Sequence, residues 1–228
     1  PDGSTIQLGF GGLGNAIGHM LYGKKNLGMH TEVVTPSVTE LVKAGVIDCS
    51  KKNFYPGKIV TGFAVGTKQF YEDLNRNELF EFKEVHWVNQ PENIAKNDSM
   101  ISINNTLMLD LTGQAASESI GTKQYSGTGG QVNFNQGAKM SRNGKRILAL
   151  ASTYTEKDGT VKSKILPTLP EGSVVTTSRN ELEFIVTEYG VVDIALDSLS
   201  VRAKKLISIA HPQFRDELTF KAKKYNWI

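Results

Sequence analysis

The stretch Ser4-Thr5-Ile6-Gln7-Leu8-Gly9-Phe10-Gly11-Gly12-Leu13-Gly14-Asn15-Ala16-Ile17-Gly18 constrains this chain more than any other. A short apolar run enters a glycine-rich turn, and Leu13, Ala16, Ile17, Met20 and Leu21 leave it with helical spacing. The pattern predicts a strand, a tight loop with bare backbone N–H groups, and a helix whose N-terminus meets the loop. The first turn of a helix leaves N–H groups without partners and carries partial positive charge, so such a loop suits anions or polarised oxygens. Gly9-x-Gly11-x-x-Gly14 also matches the dinucleotide fingerprint, and Glu32 follows eighteen residues after Gly14, near the place of that motif's ribose-binding acid. Spacing leaves both uses open.

The alternation continues down the chain. Met29–Val34 reads as a second strand, and Thr35-Pro36 opens a helix with Thr35 as N-cap and Gly45 just past its end. Strand, helix, strand, helix with short connections implies right-handed βαβ units and a parallel sheet. Lys58–Val65 reads as a strand, Thr67 caps a helix, Phe80–Val88 alternates like a half-buried strand, and Pro91 starts a short helix. Met100–Leu111 is a long β-rich run. Gly113–Gly137 holds six glycines among polar residues, a long loop of the kind usually tied to function, with a helix start from Val132. Arg146–Ala151 is a strand, and Lys157-Asp158-Gly159-Thr160 marks a hairpin turn. Val174–Thr177 and Phe184–Val192 read as strands, Ser198–Ala210 as an amphipathic helix stopped at His211-Pro212, and Phe214–Tyr225 as a last helix. No repeat or linker divides these 228 residues, so the sequence reads as one α/β domain with an open, mostly parallel sheet and flanking helices.

Composition narrows the functions available. Lys and Arg total 26 against 23 Asp and Glu, a net charge of +3 spread along the chain, which is too weak for nucleic acid. No apolar run approaches the roughly 18 residues of a membrane span, and the opening residues lack the basic and apolar regions of a signal peptide. The single cysteine, Cys49, fits a reducing compartment, so a cytoplasmic location is expected. None of the four histidines, His19, His30, His86 and His211, has a ligand-spaced partner, so no metal site is expected. No Gly-x-Ser-x-Gly elbow marks a serine nucleophile.

Glu32 is the best candidate for chemistry. It lies in or just after the second parallel strand, so its carboxylate falls near the carboxyl edge, where open α/β sheets place ligands. A carboxylate there can bind ribose, act as a base or act as a nucleophile, or simply be a solvated strand-end residue. A second glycine loop, Ser126-Gly127-Thr128-Gly129-Gly130-Gln131, offers another run of open backbone. Two such loops and one carboxylate suit acyl chemistry, with one loop holding an oxyanion and the other admitting a bulky ligand. A plain dinucleotide domain needs only one.

The longer motifs are more specific. Gln7–Asn15, His30-Thr31-Glu32-Val33, Ser102-Ile103-Asn104-Asn105, Asp110-Leu111-Thr112-Gly113-Gln114, Ser117-Glu118-Ser119-Ile120-Gly121, Gln124–Gln131, Val175–Asn180, Val186-Thr187-Glu188-Tyr189-Gly190 and Ile209-Ala210-His211-Pro212-x-Phe214-Arg215 run nearly end to end. Together they resemble the C-terminal half of the acetyl-CoA hydrolase/transferase family, nearest its 4-hydroxybutyrate and butyrate CoA-transferases. The resemblance implies a class I CoA-transferase of CoA-transferase-type α/β fold. CoA would be a substrate, with no permanently bound cofactor, and its acyl donor and acceptor would be a short-chain acyl-CoA (4-hydroxybutyryl, butyryl or acetyl) and a free carboxylate.

By that resemblance Glu32 is the nucleophile that carries a covalent glutamyl-CoA thioester. Gly9, Phe10, Gly11, Gly12 and Leu13 lie against CoA, Gly127, Gly129 and Gly130 border CoA and the reacting carbonyl, and Leu107 lines the CoA channel. Gln7 and Asn104 donate hydrogen bonds near the acyl group. Glu118, Glu188 and Arg179 read as structural. Hydrolysis of acetyl-CoA by the same intermediate is the alternative within the family, and a non-catalytic CoA- or dinucleotide-binding domain is the alternative of another class. Family enzymes carry a first half of similar size that closes the acyl pocket. The expectation is therefore of a C-terminal catalytic domain over residues 1–228 that needs that half or a partner subunit, forms homo-oligomers and is poorly active alone.

Overall fold

The computed structural model describes the backbone of all 228 residues and the side chains of all but Leu13, Gly14 and Asn15. Its residues cluster into two compact units, Pro1–Asn104 with Asn133–Arg146, and Asn105–Val132 with Ile147–Ile228.

The first unit alternates strand and helix: β1 (Thr5–Leu8), α1 (Gly12–Met20), β2 (Gly28–Val34), α2 (Pro36–Lys43), β3 (Ile59–Ala64), α3 (Lys68–Leu74), β4 (Phe80–Phe82), α4 (Val85–Val88), α5 (Pro91–Ala95) and β5 (Met100–Asn105). The strands run parallel in the order β5-β1-β2-β3-β4. Both sheet faces are covered, yet β1, β2 and β5 are not continuous apolar runs: Thr5, Gln7, His30, Thr31, Ser102 and Asn104 are buried within them. One face buries Val60 and Met100 with Val88, Ile94, Phe134 and Ala138. The opposite face carries Ile6, Leu8, Met29, Val33 and Ile59, all buried.

The second unit contains β6 (Met108–Asp110), β7 (Ala115–Ala116), β8 (Ser119–Ile120) and β9 (Lys123–Gln124). Helix α6 (Gln131–Met140) and strand β10 (Lys145–Ala149) run across the boundary, followed by β11 (Thr153–Thr155), β12 (Val161–Ser163), β13 (Ile165–Leu166), β14 (Phe184–Thr187), β15 (Gly190–Asp193), α7 (Leu199–Ser208) and α8 (Pro212–Lys224). Strand β14 pairs parallel with β10 and antiparallel with β15. Its core joins Leu148, Ile185, Ala203, Leu206, Leu218 and Ala222. The architecture is thus the α/β, mostly parallel sheet with flanking helices that the sequence predicts.

Several local expectations change. Phe80–Val88 is a three-residue strand and then a helical turn, with Val88 N–H donating to the Glu84 carbonyl. Alternation over so short a run also places Val85 and Val88 on one helical face, and packing decides between the two. Met100–Leu111 breaks into β5 and β6 around Thr106. Val174–Thr177 forms no strand; Thr177 makes one isolated bridge to Ala115. Phe184–Val192 splits into the β14–β15 hairpin, turning at Glu188-Tyr189. Thr35 stands at the N-cap of α2, but its hydroxyl pairs with Ser37 Oγ (2.9 Å) instead of capping. His211 starts α8 as its N-cap, with Nδ1 accepting from Gln213 N–H.

Candidate active site

Strand register assembles the first unit's site. Thr5 pairs with Gly28 and Met100, Gln7 with Ser102, and His30 with Val60. Residues paired across parallel strands point to the same face, and alternate residues along each strand share it. One level of that face therefore holds Ser102, Gln7, His30 and Val60. The next level, toward the carboxyl edge, holds Asn104, Gly9, Glu32 and Gly62.

A polar network links the two levels. Gln7 Nε2 donates to Asn104 Oδ1 (3.0 Å) and Asn104 Nδ2 donates back to Gln7 Oε1 (3.1 Å). Ser102 Oγ donates to Gln7 Oε1 (2.9 Å) and accepts from Asn104 Nδ2 (3.0 Å), with Asn135 Oδ1 of α6 beside it at 3.3 Å. All four side chains are buried. Hydrogen counting then sorts them: Asn104 has used both amide hydrogens, whereas Gln7 keeps one N–H uncommitted. Ser102 and Asn135 were not among the expected site residues. The signal available was the polar i, i+2 pair Ser102–Asn104 inside an otherwise apolar strand.

His30 is locked beside them. Asn97 Nδ2 can only donate, so His30 Nδ1 (3.1 Å away) accepts, and Nε2–H donates to the Val88 carbonyl at 2.8 Å. Burial pushes its pKa down from 6.5 to about 4, the Val88 hydrogen bond opposes this, and the charge on Lys52 adds to it. His30 is a neutral packing residue between Trp87 and Phe134.

Glu32 is the one residue of β2 that is not fully buried. Glycines flank it on its own face. At Gly9 an added Cβ would lie 3.0 Å from Asn104 Oδ1, and at Gly62 it would lie 2.8 Å from Val85 Cγ2 and 3.1 Å from the Glu32 carbonyl oxygen. Close approach of these neighbours thus disfavours a side chain at 9 and at 62. Gly62 was not anticipated either, because nothing in the local sequence reports its register against Glu32.

Beyond Gly9 the loop enters α1. Gly11 is the N-cap at φ 120° and ψ 179°, a conformation essentially confined to glycine. Gly12 has ordinary backbone geometry and nothing within 4 Å of an added Cβ, and Phe10 is 62% exposed. The Leu13 side chain lies outside the described residues.

The second unit holds the other expected residues. Glu118 organises the loop: its carbonyl accepts from Tyr125 N–H (2.7 Å) and Ser126 N–H (3.3 Å), and its Oε1 accepts from Gln124 Nε2 (3.2 Å). Gln124 Nε2 also reaches the Ser126 carbonyl, and α6 follows directly from Gln131. Gly127 and Gly129 are exposed with nothing within 4 Å of an added Cβ, while Gly130 is buried. Leu107 is half-buried and its N–H donates to the Ala116 carbonyl. Glu188 accepts from both the N–H and the hydroxyl of Ser152, a structural tie that draws its carboxyl below the usual range against an opposing desolvation.

A family model described as the acetyl-CoA hydrolase/transferase C-terminal domain matches residues 66–222. The chain belongs to that family. It is 51% identical over 223 residues to the 4-hydroxybutyrate coenzyme A transferase of Clostridium kluyveri, covering 98% of this chain and 51% of that protein. It is 46% identical over 227 residues to the succinyl-CoA:cyclohexane-1-carboxylate CoA transferase of Geobacter metallireducens, covering 100% and 51%. The crystal structure of RipA from Yersinia pestis superimposes with a TM-score of 0.92 at 42% identity, over 100% of this chain and 51% of that one. The chain spans about half the length of the curated relatives it matches. Among the described residues no helix is long and apolar enough to cross a membrane.

Proposed function

We propose that this chain carries the nucleophile of a CoA-transferase that moves CoA between a short-chain acyl-CoA and a free carboxylate. The observation that carries the reading is the placement of Glu32, a half-buried carboxylate at the carboxyl edge of a parallel sheet, bracketed by Gly9 and Gly62. The names of its relatives, which are CoA transferases acting between carboxylic acids, support the reaction class.

In this reaction a Glu32 oxygen attacks the thioester carbonyl. The C–S bond breaks, CoA leaves as the thiolate, and an acyl-glutamyl anhydride remains. The thiolate then attacks the Glu32 carbonyl and expels the first carboxylate, which leaves a glutamyl-CoA thioester. The incoming carboxylate reverses both steps. No water enters and no proton is gained or lost, so the acyl activation is conserved. Gln7 supplies its one uncommitted N–H near the acyl oxygen, and Asn104 acts by holding the Gln7 amide in place. Gly12 and Gly127 are read as CoA-facing positions: among the described residues nothing lies within 4 Å of an added Cβ at either, so the backbone there is open to a ligand.

The test is intact mass spectrometry of the complete gene product after incubation with butyryl-CoA, followed by borohydride trapping and peptide mapping. A CoA adduct is expected in the intact mass before borohydride, and afterwards Glu32 is expected to map as the reduced alcohol, with CoA released as the thiol. Glu32→Gln is expected to abolish the adduct and to lower turnover by about a thousandfold or more. An adduct that persists in Glu32→Gln refutes the assignment.

A further inference from the structure

On the strand beside Glu32, Gly62 is packed against a residue that none of the motifs identified. Gly62 sits on β3 beside Glu32, and Val85, the first residue of α4, fills the volume above Gly62 so closely that an added Cβ would meet Val85 Cγ2 at 2.8 Å. Val85 shares this face with Val88, whose carbonyl fixes His30 one level below Glu32. Yet Val85 is not packed away: it keeps 38% of its surface exposed, whereas Val88 keeps none. An apolar branched side chain, packed on Gly62 and partly exposed, thus stands over the strand that neighbours Glu32.

We propose that Val85, seated on Gly62, is the wall against which the acyl group transferred at Glu32 packs, and that its size limits acyl-chain length. This rests on the reading of Glu32 as the nucleophile. The acyl carbon reacts within bonding distance of the Glu32 carboxylate, so the first carbons of the chain lie over a neighbouring strand. On the β3 side Gly62 contributes no side chain at this level, and Val85 of α4 packs over it. A pocket wall that differs by one or two methylenes changes kcat/KM by about 10-fold to 200-fold between homologous substrates.

The experiment measures kcat/KM of the complete gene product for acetyl-, butyryl- and hexanoyl-CoA, with the Glu32 adduct followed by intact mass in each variant. Val85→Phe is expected to lower kcat/KM for butyryl-CoA by about tenfold relative to acetyl-CoA, and Val85→Ala to raise hexanoyl-CoA relative to acetyl-CoA by a similar factor. Gly62→Ala is expected to slow every substrate, because its Cβ collides with Val85, and Val85→Ala added to it is expected to restore part of that loss. The isosteric Val85→Thr keeps the volume and should leave the chain-length profile in place. An adduct that forms on Glu32 while the chain-length ratios stay unchanged in Val85→Phe and Val85→Ala overturns the wall and leaves the nucleophile standing. No adduct on Glu32 with any acyl-CoA overturns both.

Discussion

The buried strand face and the two glycine loops handle unused capacity in opposite ways. On the strand face Gln7, Ser102, Asn104 and His30 spend nearly every donor and acceptor on one another, on Asn97 or on the Val88 carbonyl. In the loops Gly12, Gly127 and Gly129 leave room that nothing among the described residues fills. A buried polar group left without a partner costs stability, so the face is largely closed, with Thr5 Oγ1 and Asn135 Nδ2 the exceptions beside this network. A loop that is to receive a ligand backbone-first has to stay open. The difference teaches that rigidity and access are divided between segments of one chain, with Gly9 at the junction of the strand face and the first loop.

That comparison is open to breaking. The largest expected effect is on the face. Because the folded pKa of His30, about 4, lies below its unfolded value of 6.5, the unfolded chain takes up a proton first as pH falls. Its contribution is complete above pH 6.5 and declines toward pH 4, by about 3 kcal/mol in all. Urea midpoints at pH 7.5 and 4.5 measure this, and His30→Gln should flatten the slope; an unchanged slope in that variant removes His30 from the account.

Gly11→Ala comes next, at about 2 kcal/mol, because alanine cannot hold φ 120° and ψ 179° at the start of α1 without strain. Thermal unfolding reads it. Ser102→Ala should cost about 1.5 kcal/mol by stripping one acceptor from Asn104 Nδ2 and one donor from Gln7 Oε1. The smallest stability effects belong to Gly12→Ala and Gly127→Ala, each expected within about 0.5 kcal/mol of the parent. Both should nonetheless raise KM for acyl-CoA, by about tenfold for one contact pushed away. If Gly12→Ala destabilises as much as Ser102→Ala, the loops are no more open than the face and the comparison fails.

Much of the fold was legible because local signals and tertiary packing agree. Thr67 caps α3 through Phe70 N–H, Pro36 and Pro212 occupy first helical turns, and apolar periodicity marks α2 and α7. The errors fall where periodicity is short or ambiguous. Val85–Val88 became a helical turn because it packs on Gly62 and against the His30 side of the sheet, and Val174–Thr177 stayed irregular because only Thr177 found a partner strand. For the site, Glu32 and the glycine loops were visible as pattern, whereas Ser102, Asn135 and Gly62 were not, since their meaning depends on which residues lie across from them.

The sequence by itself determined the βαβ order, the family and the candidate nucleophile, because turn chemistry, apolar period and long motifs are written along the chain. Only the tertiary structure decided that Glu32 stands level with two glycines, that Asn104 has no amide hydrogen to give while Gln7 keeps one, and that Val85 packs on Gly62. Those facts are set by strand register and by pairings over long separations, such as Gln7 with Asn104, where no local preference of either residue specifies the other.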